Sequence, residues 1–238
     1  MLYQCHIFCD FDGTISGQDI GWELFQRFGQ HEPWNAQMIA GILPVREYWQ
    51  KMAQHLTQPI THELLGDFLR TIPIDAGFQS LLAVARNHSI PFTIVSDGFD
   101  LYIHRFLELH GITEVEIFCN HAELTPDGGM TVSFPHATEG CECFTATCKR
   151  NVLLRLAHPD ARIIYIGDGI SDHCPAEHAD IVFAKGKLAA WCNANRIPHY
   201  PFSGLENVAL QLSKILERRR LRPRHQAALQ RKSAWERE

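Results

Sequence analysis

Asp10-Phe11-Asp12-Gly13-Thr14 follows directly on the apolar run from Tyr3 to Cys9, and this stretch decides the fold class. The run predicts a buried strand. Side chains alternate along an extended chain, so Asp10 and Asp12 should point to the same side. Gly13 permits a sharp turn, in which Thr14 can form a hydrogen bond. The stretch therefore predicts two neighbouring carboxylates at the carboxyl end of a strand, where open α/β sheets carry their active sites.

Two carboxylates in this position can divide a reaction between them. Asp10 can act as a nucleophile and Asp12 as a proton donor, provided that they lie close together without touching. The alternative is a turn in which both side chains only accept backbone hydrogen bonds. The motif by itself does not separate these interpretations, because a short motif stays a hypothesis until its structural context is known.

The composition is that of an ordinary globular protein. The chain has 238 residues, of which 45% are hydrophobic and 21% are charged, which allows one core or a core with a small companion domain. No segment approaches the ~18 uninterrupted apolar residues of a membrane-spanning helix, and the first apolar run is too short for a secretory signal. We therefore expect a cytoplasmic protein that has no membrane partner.

The charges are distributed unevenly along the chain. The net charge is -5, but residues 218–238 carry +6, which leaves -11 on residues 1–217. The arginines of the tail (Arg218, Arg219, Arg220, Arg222 and Arg224) suggest a nucleic-acid or anionic-surface arm as one alternative. An acidic body argues against nucleic acid. We expect instead a basic C-terminal tail over residues 218–238, formed by a solvated helix with a frayed end that folds back on the body.

Strand signals alternate with helix-period segments over most of the chain. The predicted strands are Gln4–Cys9, Phe92–Ser96, Val115–Cys119, Arg162–Ile166 and Ile181–Ala184. One helix is predicted after Asp75 as its N-cap, since apolar residues recur at helical spacing from Phe78 to Ala85. This alternation predicts an α/β fold, in which a doubly wound parallel sheet forms the core.

Two segments are too long to be simple connections. Residues 16–73 need a fold of their own, and their helix-like stretches, broken by glycine and proline, predict a small helical cap inserted after the first strand. The core would then comprise residues 1–15 and 74–217, with the cap lying over Asp10 as a lid. Between Asn120 and Thr147, a turn at Pro126-Asp127-Gly128-Gly129 predicts a hairpin beside the sheet.

Three more motifs fall at strand ends or helix starts. Ser96-Asp97-Gly98 ends the second strand, where the Ser96 hydroxyl and the backbone amides after it can face a phosphate. Lys149 opens a helix and offers a cation to the same anion. Asp168 and Asp172 follow the strand Arg162–Ile166 and, together with Asp10, supply the oxygen ligands that Mg²⁺ prefers.

With its four motifs in this order, the chain resembles the haloacid dehalogenase superfamily of phosphatases over residues 3 to 210. The resemblance implies that Asp10 attacks phosphorus to form an aspartyl-phosphate, and that Asp12 protonates the leaving oxygen and then activates water. It also implies one Mg²⁺ held by Asp10, Asp168 and the backbone carbonyl of Asp12. Ser96, Asp97 and Lys149 would bind the phosphate, while Asp172 would lie behind the metal, orienting a water or contacting Lys149.

The long insertion resembles the phosphoserine phosphatase branch of that superfamily. There an acidic residue and an arginine of the cap grip the substrate, and Asp19 and Arg46 are the nearest matches here. Further stretches resemble a subgroup of methionine salvage, which implies a small phosphorylated metabolite, the salvage enol phosphate, as substrate. Phosphoserine or another small amino or alcohol phosphate is the alternative. A second class also stays open, a catalytically silent phosphate-binding or receiver protein, although Asp12 favours an enzyme.

Three of the eight cysteines lie close together in the sequence. Cys141, Cys143 and Cys148 form a C-x-C-x₄-C pattern that zinc could use with a histidine such as His136. The spacing fits no common zinc finger, so we expect reduced thiols that pack a loop near Lys149. The sequence leaves the oligomeric state open.

Overall fold

A computed structural model describes residues 5–143, 145–217 and 221–236, which form one seven-stranded sheet in the order β4-β3-β2-β1-β5-β6-β7. All neighbouring strands are parallel except β3 and β4. The strands are β1 Cys5–Cys9, β2 Phe92–Phe99, β3 Glu116–Leu124, β4 Met130–Ser133, β5 Arg162–Gly167, β6 Ile181–Ala184 and β7 Tyr200–Pro201. The α/β class with a largely parallel sheet is confirmed.

Helices connect the strands. Those of the segment between β1 and β2 are α1 Ile20–Phe28, α2 Trp34–Ile39, α3 Val45–Gln54 and α4 His62–Arg70, followed by α5 Phe78–Asn87. The later ones are α6 Asp100–Leu109, α7 Lys149–Leu156, α8 His173–His178, α9 Gly186–Ala194, α10 Leu205–Leu216 and α11 His225–Trp235. A single 3-10 turn, Ile170–Asp172, leads into α8.

The sheet is covered on both faces. Alternate side chains of β1 enter different cores, since Ile7 packs with residues of α5, α6 and α10, whereas Phe8 packs with residues of α7, α8 and α9. Strand β1 lies in the middle, with Cys9 opposite Ile94 of β2 and Ile166 of β5. The carboxyl ends of these three strands therefore meet at one edge of the sheet.

Strand β2 differs from its prediction. The strand does not end at Ser96 but continues to Phe99, and its register with β3 shifts between Val95 and Phe99. Such an irregularity breaks the regular alternation of side chains. The motif Ser96-Asp97-Gly98 therefore lies in a bulge within the strand, and α6 begins directly after it.

The segment 16–73 leaves and rejoins the core at one place. Ser16 and Ile74 form an antiparallel bridge, Gly17 N–H donates to the Pro73 carbonyl (2.8 Å), and Asp75 N–H donates to the Ile15 carbonyl (2.8 Å). These are the positions at which the sequence predicts the cap to begin and end. The two connections are thus hydrogen-bonded to each other.

The tip of the β3–β4 hairpin touches the cap. Gly128 accepts a hydrogen bond from Ile60 N–H (2.9 Å) and has a positive φ of 81°. A side chain at Gly128 would also collide with Pro59. The predicted hairpin is therefore present between β3 and β4, and it extends from the sheet to the cap.

Asp75 does not cap α5 in the way that the sequence suggests. The N-cap of that helix is Gly77, whose N–H donates to Asp75 Oδ1 (2.8 Å), and the same oxygen accepts from Leu205 N–H (3.1 Å) at the start of α10. A carboxylate oxygen can accept two hydrogen bonds, so Asp75 Oδ1 serves N–H groups at the start of both helices. Asp75 therefore joins α5 to α10.

The described part of the C-terminal segment lies on the core. Leu221 is buried, and α11 packs on α8 with Arg231 paired to Asp180 (3.2 Å). The arginines Arg218, Arg219 and Arg220 lie outside the described residues. In the described ranges no helix combines the length and the apolar character that crossing a membrane requires.

Candidate active site

A buried lysine joins two of the predicted motifs. Lys149 Nζ lies 2.6 Å from Asp10 Oδ1, 2.7 Å from Asp172 Oδ1 and 2.9 Å from Ser171 Oγ. Burial by itself favours the neutral amine, but the carboxylates of Asp10 and Asp172 outweigh it and raise the pKa of Lys149. Lys149 is therefore a fixed positive charge beside Asp10.

Asp172 has its full complement of hydrogen bonds. Its Oδ1 accepts from Lys149 and from the Tyr165 hydroxyl (2.6 Å), and its Oδ2 accepts from the backbone N–H groups of Asp168 and Gly169 (2.9 Å each). The side chain is completely buried. A carboxylate that is bound in this way orients Lys149 and the turn after β5, while its place behind a metal stays a prediction.

The carboxylates of Asp10, Asp168 and Asp172 form a cluster that could hold a metal ion. One oxygen of each lies within 4.8 Å of the others. Burial raises the pKa of Asp10, and Asp172 raises it further, while Lys149 opposes this shift. Because three carboxylates share one lysine, a divalent cation fits the remaining charge.

The turn after β1 brings Asp168 into this cluster. Thr14 donates its hydroxyl to Asp168 Oδ1 (3.0 Å), and Gly13 has a positive φ of 73°. A Cβ at Gly13 would lie 2.8 Å from Asp168 Oδ2. The sequence requires glycine here both for the turn and for the close approach of Asp168.

Asp12 is held away from Lys149 by a different set of donors. Its Oδ1 accepts from Ile20 N–H (2.8 Å), while its Oδ2 lies 2.9 Å from the Tyr102 hydroxyl and 3.3 Å from Ser96 Oγ. Burial and, to a smaller degree, the charge of Asp19 raise the pKa of Asp12 to about 8. The two aspartates thus differ in partners, and Asp12 holds a proton near neutral pH.

Ser96 and Asp97 take different directions from the bulge in β2. Ser96 is completely buried between Asp12 and Gly98 N–H, which donates to its hydroxyl (2.9 Å). The carboxylate of Asp97 accepts from the N–H groups of Ala146 and Thr147 (2.7 Å each). The Asp97 side chain therefore holds the loop before Lys149, and only its backbone amide remains for the predicted phosphate contact.

The two residues predicted for the cap lie in different surroundings. Asp19 is the N-cap of α1 and accepts from Trp22 N–H (2.9 Å), while desolvation of its carboxyl raises its pKa. Arg46 is exposed on α3 and forms no hydrogen bond or ion pair with any residue that the structure describes. Asp19 lies close enough to influence Asp12, whereas the role of Arg46 stays a prediction.

Two tyrosines of the site were missed by the sequence-based interpretation. Tyr102 lies on α6 and bonds Asp12, and Tyr165 lies on β5 and bonds Asp172. Both are buried among apolar residues. The sequence shows only a hydroxyl among apolar residues. A buried hydroxyl needs a hydrogen-bond partner, but the sequence does not show which residue that is.

The fold and this arrangement of carboxylates around a lysine define a haloacid dehalogenase-like phosphatase. The chain belongs to the family described as Putative Phosphatase, whose model matches residues 5–200. It is a phosphatase with a small phosphorylated molecule as substrate, and the resemblance inferred from the four motifs is confirmed.

Curated relatives cover nearly the whole chain. A 2-hydroxy-3-keto-5-methylthiopentenyl-1-phosphate phosphatase of Geobacillus kaustophilus is 34% identical over 223 residues, which are 91% of this chain and 100% of the relative. A protein of the same name from Bacillus velezensis is 32% identical, with 96% of this chain and 95% of the relative covered.

Solved structures support the fold. A phospho-aspartyl intermediate analogue of phosphoserine phosphatase superimposes with a TM-score of 0.63 at 16% identity, over 88% of this chain and 99% of that one. A HAD family hydrolase of Salmonella enterica serovar Typhi gives a TM-score of 0.65 at 19% identity, over 92% of this chain and 73% of that one.

Proposed function

We propose that this phosphatase hydrolyses the enol phosphate of methionine salvage, 2-hydroxy-3-keto-5-methylthiopentenyl 1-phosphate, through an aspartyl-phosphate on Asp10. The observation that carries the proposal is the contrast between two neighbouring aspartates. Asp10 contacts the Lys149 ammonium at 2.6 Å, whereas Asp12 accepts hydrogen bonds from Ile20 N–H (2.8 Å) and the Tyr102 hydroxyl (2.9 Å). One is suited to nucleophilic attack and the other to proton donation.

Asp10 would attack phosphorus with Oδ2, because Oδ1 is occupied by Lys149. The Lys149 ammonium is near enough to neutralise a phosphate oxygen, and the Ser96 hydroxyl lies at the edge of the same space beside Asp12. Phosphoryl transfer depends mainly on such positioning and charge neutralisation. A receiver protein would gain nothing from a proton donor two residues after its phosphorylated aspartate, which favours the enzyme.

Asp12 would donate its proton to the leaving oxygen of the ester. The Tyr102 hydroxyl and Ile20 N–H fix its orientation. Once deprotonated, Asp12 would take a proton from the water that hydrolyses the aspartyl-phosphate, and this transfer returns the site to its starting state.

The residues present fit a magnesium ion. The carboxylates of Asp10 and Asp168 and the backbone carbonyl of Asp12 would hold it, with Asp172 bonded behind them. When bound, Mg²⁺ supplies positive charge that offsets the repulsion between the nucleophile and the phosphate.

The cap offers aromatic surface for the methylthio group. The ring centroids of Trp22 and His31 lie 4.0 Å apart, the Tyr48 hydroxyl lies 3.3 Å from His31 Nε2, and the tilted rings of Tyr48 and Trp49 have centroids 5.0 Å apart. Sulfur and aromatic rings attract each other. This aromatic cluster, defined by Trp22, His31, Tyr48 and Trp49, fits an apolar substituent better than the charged amine and carboxylate of phosphoserine.

The aromatic cluster adjoins the catalytic aspartates. A Cβ placed on Gly21 would lie 3.1 Å from the Tyr102 hydroxyl, which bonds Asp12, and 3.3 Å from the Trp49 ring. The Asp19 carboxylate would be 3.6 Å from the same point. A substrate phosphate at Asp10 thus has the cluster within reach of its carbon chain.

The roles of the two aspartates are tested by Asp10→Asn and Asp12→Asn. We expect Asp10→Asn to abolish magnesium-dependent hydrolysis of p-nitrophenyl phosphate, and Asp12→Asn to slow it by about 10²- to 10⁴-fold. Chelator should abolish the activity of the wild type. An Asp12→Asn variant that retains the wild-type kcat would contradict the proton-donor role.

The substrate is tested with a panel that contains the enol phosphate, phosphoserine and phosphocholine. We expect the highest kcat/KM for the enol phosphate, and Trp49→Ala should lower this value by about tenfold through lost contact with the methylthio group. Trp34→Ala is the matched control, because Trp34 packs on His55 at 4.2 Å in the same cap. A preference for phosphoserine that Trp49→Ala leaves unchanged would refute the substrate.

A further inference from the structure

Four cysteine sulfurs come together beside the active site. Cys141 Sγ lies 3.6 Å from Cys174 Sγ, and Cys143 Sγ lies 3.6 Å from Cys148 Sγ. The sulfurs of Cys141, Cys143 and Cys148 are all within 4.8 Å of one another, and Cys174 also contacts Cys143. We call these four residues the cysteine cluster.

The spacing matches a tetrahedral metal site. Zinc binds thiolates at about 2.3 Å, so sulfurs at the corners of a tetrahedron around zinc are about 3.8 Å apart. Both measured distances of 3.6 Å are close to this value and far from the ~2.05 Å of a disulfide bond. A small inward movement of Cys174 would complete the fourth corner.

The sequence pattern singled out three of these sulfurs, with a histidine such as His136 as the fourth ligand in the zinc alternative. His136 packs on Phe118, with ring centroids 5.2 Å apart, and lies outside the cluster of candidate ligands. Cys174 supplies the fourth sulfur instead, from α8. The remaining cysteines, Cys5, Cys9, Cys119 and Cys192, are buried singly among apolar side chains, so the grouping of the other four is specific.

The surroundings suit a negatively charged site. The buried guanidinium of Arg150 donates to the Gly140 carbonyl next to Cys141, and its charge faces the same loop. The hydroxyl of Thr145 donates to Cys143 Sγ (3.3 Å). Cys148 is the N-cap residue of α7. The Thr145 hydroxyl favours the thiolate of Cys143, and the start of a helix favours negative charge.

We propose that Cys141, Cys143, Cys148 and Cys174 bind one zinc ion, which ties the loop before α7 to helix α8. Each thiol loses its proton to solvent as its sulfur binds the metal, so that Zn²⁺ is held by four thiolates. The site is structural, because four protein ligands leave no open position on zinc.

The zinc ion would lie between the two segments that position the active-site lysine. Cys148 directly precedes Lys149, and Cys174 comes two residues after Asp172, which bonds Lys149 at 2.7 Å. The metal would thus tie together the two segments that carry Lys149 and Asp172. We assign the cysteine cluster a positioning role that is separate from the magnesium site.

The experiment measures metal in the full-length protein, purified under reducing conditions without chelator from cells grown with added zinc. Elemental analysis should find about one zinc per chain. After removal of zinc and addition of Co²⁺, the spectrum should show the thiolate charge-transfer and tetrahedral ligand-field bands. Alkylation followed by mass spectrometry should modify the four cluster cysteines only after a strong chelator is added.

Two variants keep the proposal falsifiable if one of them folds poorly. Cys174→Ser and Cys143→Ser should each lose zinc and weaken the cobalt bands, with folding checked by circular dichroism, whereas the control Cys192→Ala should keep both. A folded wild type that contains no zinc and binds no Co²⁺ would overturn the proposal. A disulfide among the four cysteines, or iron in place of zinc, would overturn it as well.

Discussion

Two buried tyrosine hydroxyls each form a hydrogen bond with a different carboxylate of the site. Tyr102 bonds Asp12 and Tyr165 bonds Asp172, so each carboxylate has its own donor from a different element. The positions of Asp10 and Asp12 could be predicted, because a motif that directly follows a strand fixes its own geometry. The tyrosines could not be predicted, since Tyr102 lies 90 residues from Asp12 and nothing local reports such a contact.

The buried His6 on β1 makes the free energy of unfolding depend on pH. His6 Nε2 lies 2.8 Å from Thr93 Oγ1, and Thr93 donates to Glu116 (2.9 Å). Burial lowers the pKa of His6 from 6.5 to about 4, against the opposing charge of Glu116. As the pH falls, His6 is therefore protonated in the unfolded chain before it is protonated in the folded chain. The free energy of unfolding falls as the pH drops from 6.5 towards 4.

His6→Gln should remove this contribution, because glutamine keeps an N–H donor for Thr93 and does not titrate. Urea unfolding between pH 7 and pH 4 should show a shallower loss of stability in the variant, by at most ~1.4 kcal/mol per pH unit. His88→Gln, at an exposed position, is the control and should follow the wild type. Equal slopes for His6→Gln and the wild type would contradict the buried neutral histidine.

At the scale of elements, the junction of α5 and α10 depends on a glycine. Gly77 has an ordinary helical φ of -83°, yet a Cβ there would overlap the backbone of Glu206 at the start of α10. Asp75 bonds the first N–H groups of both helices. The backbone of α10 at Leu205 and Glu206 therefore packs directly against the backbone at Gly77.

Gly77→Ala should therefore lower the free energy of unfolding by more than about 2 kcal/mol, since neither helix can move without losing a bond to Asp75. Gly111→Ala is the matched comparison: Gly111 has a φ of 70° and nothing within 4 Å of an added Cβ. That variant should lose only the ~1 to 2 kcal/mol of a left-handed backbone. Equal losses in urea unfolding would refute the steric interpretation.

The sequence predicts elements well where they are long and fails where they are short or irregular. Strands β1, β5 and β6 are found because each is a mostly apolar run. Strand β7 has only two residues, and one of them is a proline, so no periodicity can reveal it. The bulge in β2 is likewise invisible, because Ser96-Asp97-Gly98 has the composition of a turn.

At the scale of the whole molecule, the described part of the basic C-terminal segment, residues 221–236, lies on the folded body. Arg224 donates from Nη2 to the carbonyls of Ala176 (2.6 Å) and Glu177 (2.7 Å), and its N–H donates to Asp180 (3.0 Å). The charge asymmetry along the chain predicted attraction to the acidic body. The contacts could not be predicted, because they are made to backbone carbonyls that exist only once α8 has formed.

Arg224→Ala should release this segment in part. We expect the free energy of unfolding to fall by about 1.5 to 3 kcal/mol, as two charge-assisted hydrogen bonds are lost, and limited proteolysis to remove the C-terminal segment faster. Arg222→Ala removes the same charge from an exposed position and should change neither measurement. Identical behaviour of the two variants would show that net charge, rather than the specific contacts, holds the segment.

The bridge between Ser16 and Ile74 has a consequence for the exchange of the segment between them. Residues paired across an antiparallel bridge have Cα atoms about 5 Å apart, so the core chain is almost continuous at this point without the segment between them. Residues 17–73 can therefore be exchanged as one piece while the sheet keeps its connectivity. The same junction is the place to graft the corresponding segment of a relative.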